Sequence, residues 1–168
     1  MDLTNTSPSQ LWASLDPATR VEAARALYAH DWGEAPTRRE ADATIMHGMR
    51  FRETAVRQLP VEKRAQYLAR SVRPSDSLSS SLLLAFHLAH RREILGAFLD
   101  ALKVPHKEGL IDEKHEMKAP ADAALSKAIA AIEKSFPREQ VDLYLATLYV
   151  LDRDTWGGLE RRFTSQPA

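Results

Sequence analysis

The stretch SLSSSLLLAFHLAHRREILGAFLDALK, Ser77 to Lys103, decides the fold class. Its apolar residues recur at helical spacing, with no alternation that would make a strand. With Leu83 at zero and about 100° per residue, Ile94 falls at about 20°, Phe98 at about 60°, Leu84 and Leu102 at about 100° and Leu95 at about 120°. Phe86 and Ala97 lie just on the other side of zero. An arc this wide belongs to a helix enclosed by neighbours, so the expectation is one long central helix over 77–103. On the same wheel His90 falls at about 340°, His87 at about 40° and Arg91 at about 80°. All three point into the apolar arc, where a charged arginine has to be paired or to reach water along its stem.

Outward from this stretch the chain is punctuated as a series of helices. Ser7-Pro8-Ser9-Gln10 has the form of a capping box with proline in the first turn. Asp16-Pro17 opens a second helix to about Asp31, closed by Gly33 and Pro36. Thr37 and Glu40 suggest another capping box, opening a third helix to Gln58. Pro60 starts a fourth, and Ser75 or Asp76 caps the central one. Pro120 and Pro137 begin two further helices, and Asp154 is expected to cap a short terminal one containing Trp156 and Leu159. Between them VPHKEGLIDEKHEMKAP, Val104 to Pro120, has no sustained period and reads as a long connection over 104–119. Connections of that length in compact domains are usually functional or mobile. The expected fold is therefore an all-α single domain, 1–168, a bundle of about six to seven helices.

One internal echo stands out. LPVEKRAQYLA, Leu59 to Ala69, and FPREQVDLYLA, Phe136 to Ala146, share the proline, the glutamate two residues on and the closing Tyr-Leu-Ala. Duplication of a helix pair, with pseudo-repeats at 37–73 and 120–153, is one reading, and chance agreement among alanine-rich helices is the other. Duplication predicts comparable, partly buried positions for Tyr67 and Tyr144.

Composition bounds the function classes. In 168 residues, 44% are hydrophobic and 27% charged, the range of a soluble globular chain with a substantial core. Basic and acidic side chains cancel at 23 each, so no global field draws the molecule to nucleic acid or an anionic bilayer. There are no cysteines, which removes disulfides, thiolate metal sites and cysteine nucleophiles together. The N-terminal MDLTNTSPSQLW lacks the pattern of a signal peptide, and no apolar run is long enough to span a membrane, so a cytoplasmic location is expected.

The candidate site follows from the polar residues on the apolar arc. With Ile45 as zero on the third helix, Arg52 falls at about 340°, Asp42 at about 60° and Glu53 at about 80°. Pairing Arg91 with Asp42 or Glu53 satisfies both helices, and His87 and His90 complete a polar pocket beside them. Three readings compete for His87, His90, Arg91, Asp42, Arg52 and Glu53: a satisfied structural network, a ligand-binding or catalytic pocket, and a divalent-metal site using His87, His90 and Glu53. No HExxH pair, phosphate loop, GxSxG elbow or dinucleotide fingerprint is present. Residues 37–73 carry nine basic and four acidic side chains, so a nucleic-acid face from Arg38, Arg39, Arg50, Arg57, Arg64 and Arg70 is a further alternative. No recognised nucleic-acid motif accompanies it, and a solvated, ion-paired surface is the favoured reading. The function expected is a non-catalytic protein-interaction or scaffold role, with a protein partner or self-association and no cofactor. The small-molecule- or metal-binding enzyme is the alternative.

Overall fold

The computed structural model describes residues 3–29, 35–70, 74–111 and 114–164. The fold is all-α and bundle-like, with one two-stranded hairpin among the described residues. It forms two compact units, one of Ser7–Ala89 and one of Met1–Thr6 with His90–Ala168. No helix among the described residues is long and apolar enough to cross a membrane.

The Ser7–Ala89 unit contains α1 (Pro8–Ser14), α2 (Pro17–Ala29), α3 (Ala35–Met49), α4 (Glu53–Gln58), α5 (Val61–Arg70) and α6, which starts at Asp76 and ends at His90. The capping box at α1 forms as its sequence dictates. Gln10 N–H donates to the Ser7 hydroxyl, and Ser7 N–H donates to the Gln10 side-chain oxygen at 2.8 Å. Ser75 caps α6, its hydroxyl accepting from Leu78 N–H at 3.0 Å. Asp76 accepts from Ser9 N–H at 2.9 Å and so ties the start of α6 to α1. That amide holds the Asp76 carboxyl below its ordinary range. α5 packs against both α2 and α3. Arg25 of α2 donates two hydrogen bonds of 2.8 Å to Glu62 of α5, across an exposed edge. Trp12, Leu27, Ile45, Leu68, Leu82 and Phe86 are among its fully buried side chains.

Two expectations for this unit are corrected. The third helix does not run to Gln58, because Arg50 turns into the left-handed region at φ 55° and α3 ends at Met49. Phe51 N–H returns to the Met46 carbonyl at 3.0 Å, the long bond of a Schellman closure, with arginine where glycine is usual. Nor do Thr37 and Glu40 cap α3. The helix begins at Ala35, with Pro36 in a first turn that needs no amide hydrogen there, and the Glu40 carboxylate accepts from the Ser75 hydroxyl instead. The close of α2 expected at Gly33 lies outside the described residues.

The second unit holds α7 (Arg92–Leu102), β1 (His106–Lys107), β2 (Leu110–Ile111), α8 (Asp122–Ser135), α9 (Arg138–Leu151), α10 (Arg153–Trp156) and, after a single 3-10 turn, α11 (Glu160–Thr164). α7 packs on α8, and α9 lies against α8 and α10. Phe98, 0% exposed, stands edge-on to Tyr144 with centroids 5.5 Å apart, and its ring lies 5.7 Å from Trp156. Arg162 fastens α11 to α8 and α9 through Glu133 at 2.8 Å and Asp142 at 2.5 Å. Arg153 donates to the carbonyls of Leu3 at 3.3 Å and Thr6 at 2.6 Å, which holds the chain start in place. Asp152, not Asp154, caps α10 by accepting from Thr155 N–H at 3.0 Å.

The single central helix over 77–103 is also corrected. α6 ends at His90, Arg91 sits at φ −137° and ψ 22°, and α7 starts at Arg92 with the Arg91 carbonyl accepting from Ile94 and Leu95. The helices among the described residues outnumber the expected six to seven, in part because the breaks at Arg50 and Arg91 each split one expected helix into two. The connection 104–119 carries the hairpin, in which His106 pairs with Ile111 and Lys107 with Leu110.

The echoed tyrosines differ in exposure. Tyr67 is half-buried and edge-on to Phe51, whereas Tyr144 is 4% exposed. The segment before Tyr67 is interrupted between α3 and α4, while α8 leads directly to α9.

Candidate functional site

The break between α3 and α4 creates a cavity of about 140 Å³. Arg39, Asp42, Ala43 and Met46 come from one face of α3, at the spacing that stacks side chains over successive turns. Glu53, Val56 and Arg57 come from one face of α4. Val56, 1% exposed, and half-buried Met46 and Ala43 give the cavity its apolar wall. The four charged side chains surround it.

Those charges are unequally committed. Asp42 accepts from the Tyr28 hydroxyl at 2.8 Å, and Arg64 lies 3.5 Å from its other oxygen while covering the Tyr28 ring at 5.1 Å. Burial, and next the bond to ionised Asp42, push the Tyr28 phenol far above its ordinary range, so it stays a neutral donor. Glu53 pairs with Arg57 at 2.6 Å, an exposed i,i+4 contact of the kind that contributes roughly 0.3–0.5 kcal/mol. Arg39 is exposed, and among the described residues its side chain makes no hydrogen bond or ion pair. The same holds for Arg50 and Arg52 in the turn between α3 and α4. The site therefore offers an apolar seat with surplus positive charge around it.

The structure brings two of the six expected site residues, Asp42 and Glu53, to this one cavity. Arg52, expected on the apolar side of a continuous helix, is exposed at the residue before α4. His87 is buried on α6 at 2% exposure, with its ring 5.4 Å from that of Phe86. His90, the last residue of α6, is exposed, and Arg91 donates to the His90 carbonyl at 3.1 Å. Among the described residues no group of three or more His, Asp or Glu side chains is placed to hold a metal ion. Sequence reasoning missed the roles of Tyr28 and Met46. The spacing of Arg39, Asp42, Ala43 and Met46 was visible, but nothing local marks Tyr28 as the partner of Asp42.

Asp42→Ala is expected to destabilise the Ser7–Ala89 unit by about 1–3 kcal/mol, because it leaves the buried Tyr28 hydroxyl without an acceptor. Tyr28→Phe, which removes the donor instead, should cost less. Urea unfolding followed by circular dichroism measures both, and an Asp42→Ala midpoint equal to that of the parent would show that the bond carries no stability.

Comparison of the chain with known protein families, with curated proteins and with solved structures finds no match.

Proposed function

We propose that this protein is a non-catalytic interaction module whose α3–α4 cleft seats one apolar side chain of an acidic partner segment. The volume of the cleft carries the reading. Sites for metabolites and cofactors run to about 300–1,000 Å³, whereas an engineered cavity of about 150 Å³ in another protein holds one benzene ring. At about 140 Å³ the cleft matches a single aromatic or branched aliphatic side chain. The surplus guanidinium groups of Arg39, Arg50 and Arg52 favour acidic residues on either side of that anchor.

The test is a titration followed on the methyl resonances of Met46 and Val56, with acetyl-Asp-Phe-Asp-amide as probe and acetyl-Lys-Phe-Lys-amide as control. The acidic peptide is expected to shift both methyls saturably and the basic one not. Ala43→Leu, which fills the cavity, should abolish the shifts while leaving helix content unchanged. Equal responses to the two peptides, or none to either, would overturn the proposal. Concentration-dependent dimerisation that Ala43→Leu abolishes would replace the acidic partner with a second copy of this chain.

A further inference from the structure

A second concavity, of about 630 Å³, lies wholly within the His90–Ala168 unit. It is formed by the end of α7, the segment 115–118 and the first turn of α8. Its size falls within the range of small-molecule sites, unlike that of the α3–α4 cleft. Leu102, Val104 and Met117, each half-buried, supply an apolar wall. Lys103 and Lys118 are exposed at its edge, and half-buried His115 lies beside the single acid, Glu116.

None of these four polar side chains makes a hydrogen bond or ion pair among the described residues. The arginines Arg92, Arg138, Arg153, Arg161 and Arg162 of this unit have partners, while Lys107, Lys127 and Lys134, like Lys103 and Lys118, make none among the described residues. Lys103 projects from a fixed point, because it closes α7 in the left-handed conformation at φ 59° and its N–H bonds back to Asp100 and Leu99. Two lysines that pair with no carboxylate among the described residues, against one acid in the lining and beside an apolar wall of ligand size, suit an anion with an apolar body.

We propose that this concavity binds a small organic carboxylate on an aromatic or branched aliphatic body. Lys103 and Lys118 hold the carboxylate, and Leu102, Val104 and Met117 cover the body. The site is independent of the α3–α4 cleft and does not rest on the interaction reading.

The experiment titrates the protein with 2-naphthoate, neutral 2-naphthamide and inorganic phosphate, and follows the Met117 methyl and the His115 ring by NMR. Naphthoate should shift both saturably, with naphthamide and phosphate each at least about tenfold weaker, the scale of one lost charge-assisted contact. The double substitution Lys103→Glu, Lys118→Glu should weaken naphthoate by a similar factor or more, with an unchanged thermal transition. Equal binding of naphthoate and naphthamide would remove the role of the lysines, and equal binding of phosphate would remove that of the wall. Either result overturns the proposal, as does naphthoate affinity that survives the charge reversal, or no shift with any of the three.

Discussion

Phe98→Ala is expected to destabilise the unit of Met1–Thr6 and His90–Ala168 by about 3–5 kcal/mol, enough to remove much of the stability of a domain this size. The ring is fully enclosed and meets Tyr144 edge-on at 5.5 Å and Trp156 at 5.7 Å. Truncation removes the transfer free energy of the ring and leaves a void whose lining includes two large aromatics that have little freedom to close it. Phe98→Leu, which keeps most of the volume, should recover a large part of the loss. Leu84→Ala on α6 provides the contrast. Leu84 is 45% exposed, and its removal should change stability by no more than about 0.5 kcal/mol. Urea unfolding followed by near- and far-ultraviolet circular dichroism separates loss of aromatic packing from loss of helix. If Phe98→Ala and Leu84→Ala shift the midpoint equally, Phe98 is not the anchor of α7.

That contrast also shows what the sequence could and could not disclose. On the wheel of Ser77 to Lys103, Leu78, Leu82, Leu83 and Phe86 of α6 fall between about 220° and 360°, but the buried His87 and Leu88 of the same helix fall at about 40° and 140°, within the range of about 20° to 160° that holds Ile94, Leu95, Phe98 and Leu99 of α7. One wheel run through both helices is therefore apolar most of the way round and looks like a single enclosed helix. Leu84, at about 100°, sits within the α7 stripe but belongs to α6, and it is exposed. No proline or glycine marks the break, so a reading based on punctuation passes over Arg91.

Helix starts were legible where a side-chain cap forms locally, though not at Thr37 or Asp154. Ser7 and Ser75 cap where their side chains can reach amides a few residues on, which is local chemistry. The closures at Arg50 and Lys103 use left-handed residues that are not glycine, and there the neighbouring fold overrides the usual cost of about 1–2 kcal/mol. The same fact governed the site. Asp42 and Glu53 were placed together on the premise of one helix. They meet at a cavity because the chain turns between them at Arg50. The Tyr28–Asp42 bond joins residues 14 positions apart on different helices, and such pairing is settled by packing rather than by local pattern.

Gly109→Ala is expected to cost about 2–5 kcal/mol in the same unit as Phe98, although it adds a single methyl group. Glu108 and Gly109 form the two-residue turn of the hairpin with φ of 51° and 84°, the paired positive angles that tight hairpins favour. A Cβ at Gly109 carries the left-handed penalty of about 1–2 kcal/mol. It would also lie 2.7 Å from the Cβ of Leu95, closer than real Cβ atoms come. Leu95 Cβ is fixed by the backbone of α7 and cannot swing aside as a side-chain tip can, so the turn itself must move. Overpacking of that kind typically costs about 1–3 kcal/mol. Moving the turn also loosens what straps it to α7. Gly109 N–H donates to His106 Nδ1 at 3.1 Å, which places the ring proton on Nε2, where it donates to Asp100 at 3.1 Å; Glu108 accepts from Arg92 at 2.7 Å. Gly157→Ala is the matched control, since a Cβ there meets nothing within 4 Å. Urea midpoints, read together with the His106 ring resonances, should show a large loss and a displaced ring for Gly109→Ala and neither change for Gly157→Ala. Equal midpoints for the two would mean that the hairpin yields freely and that its contacts with α7 contribute little.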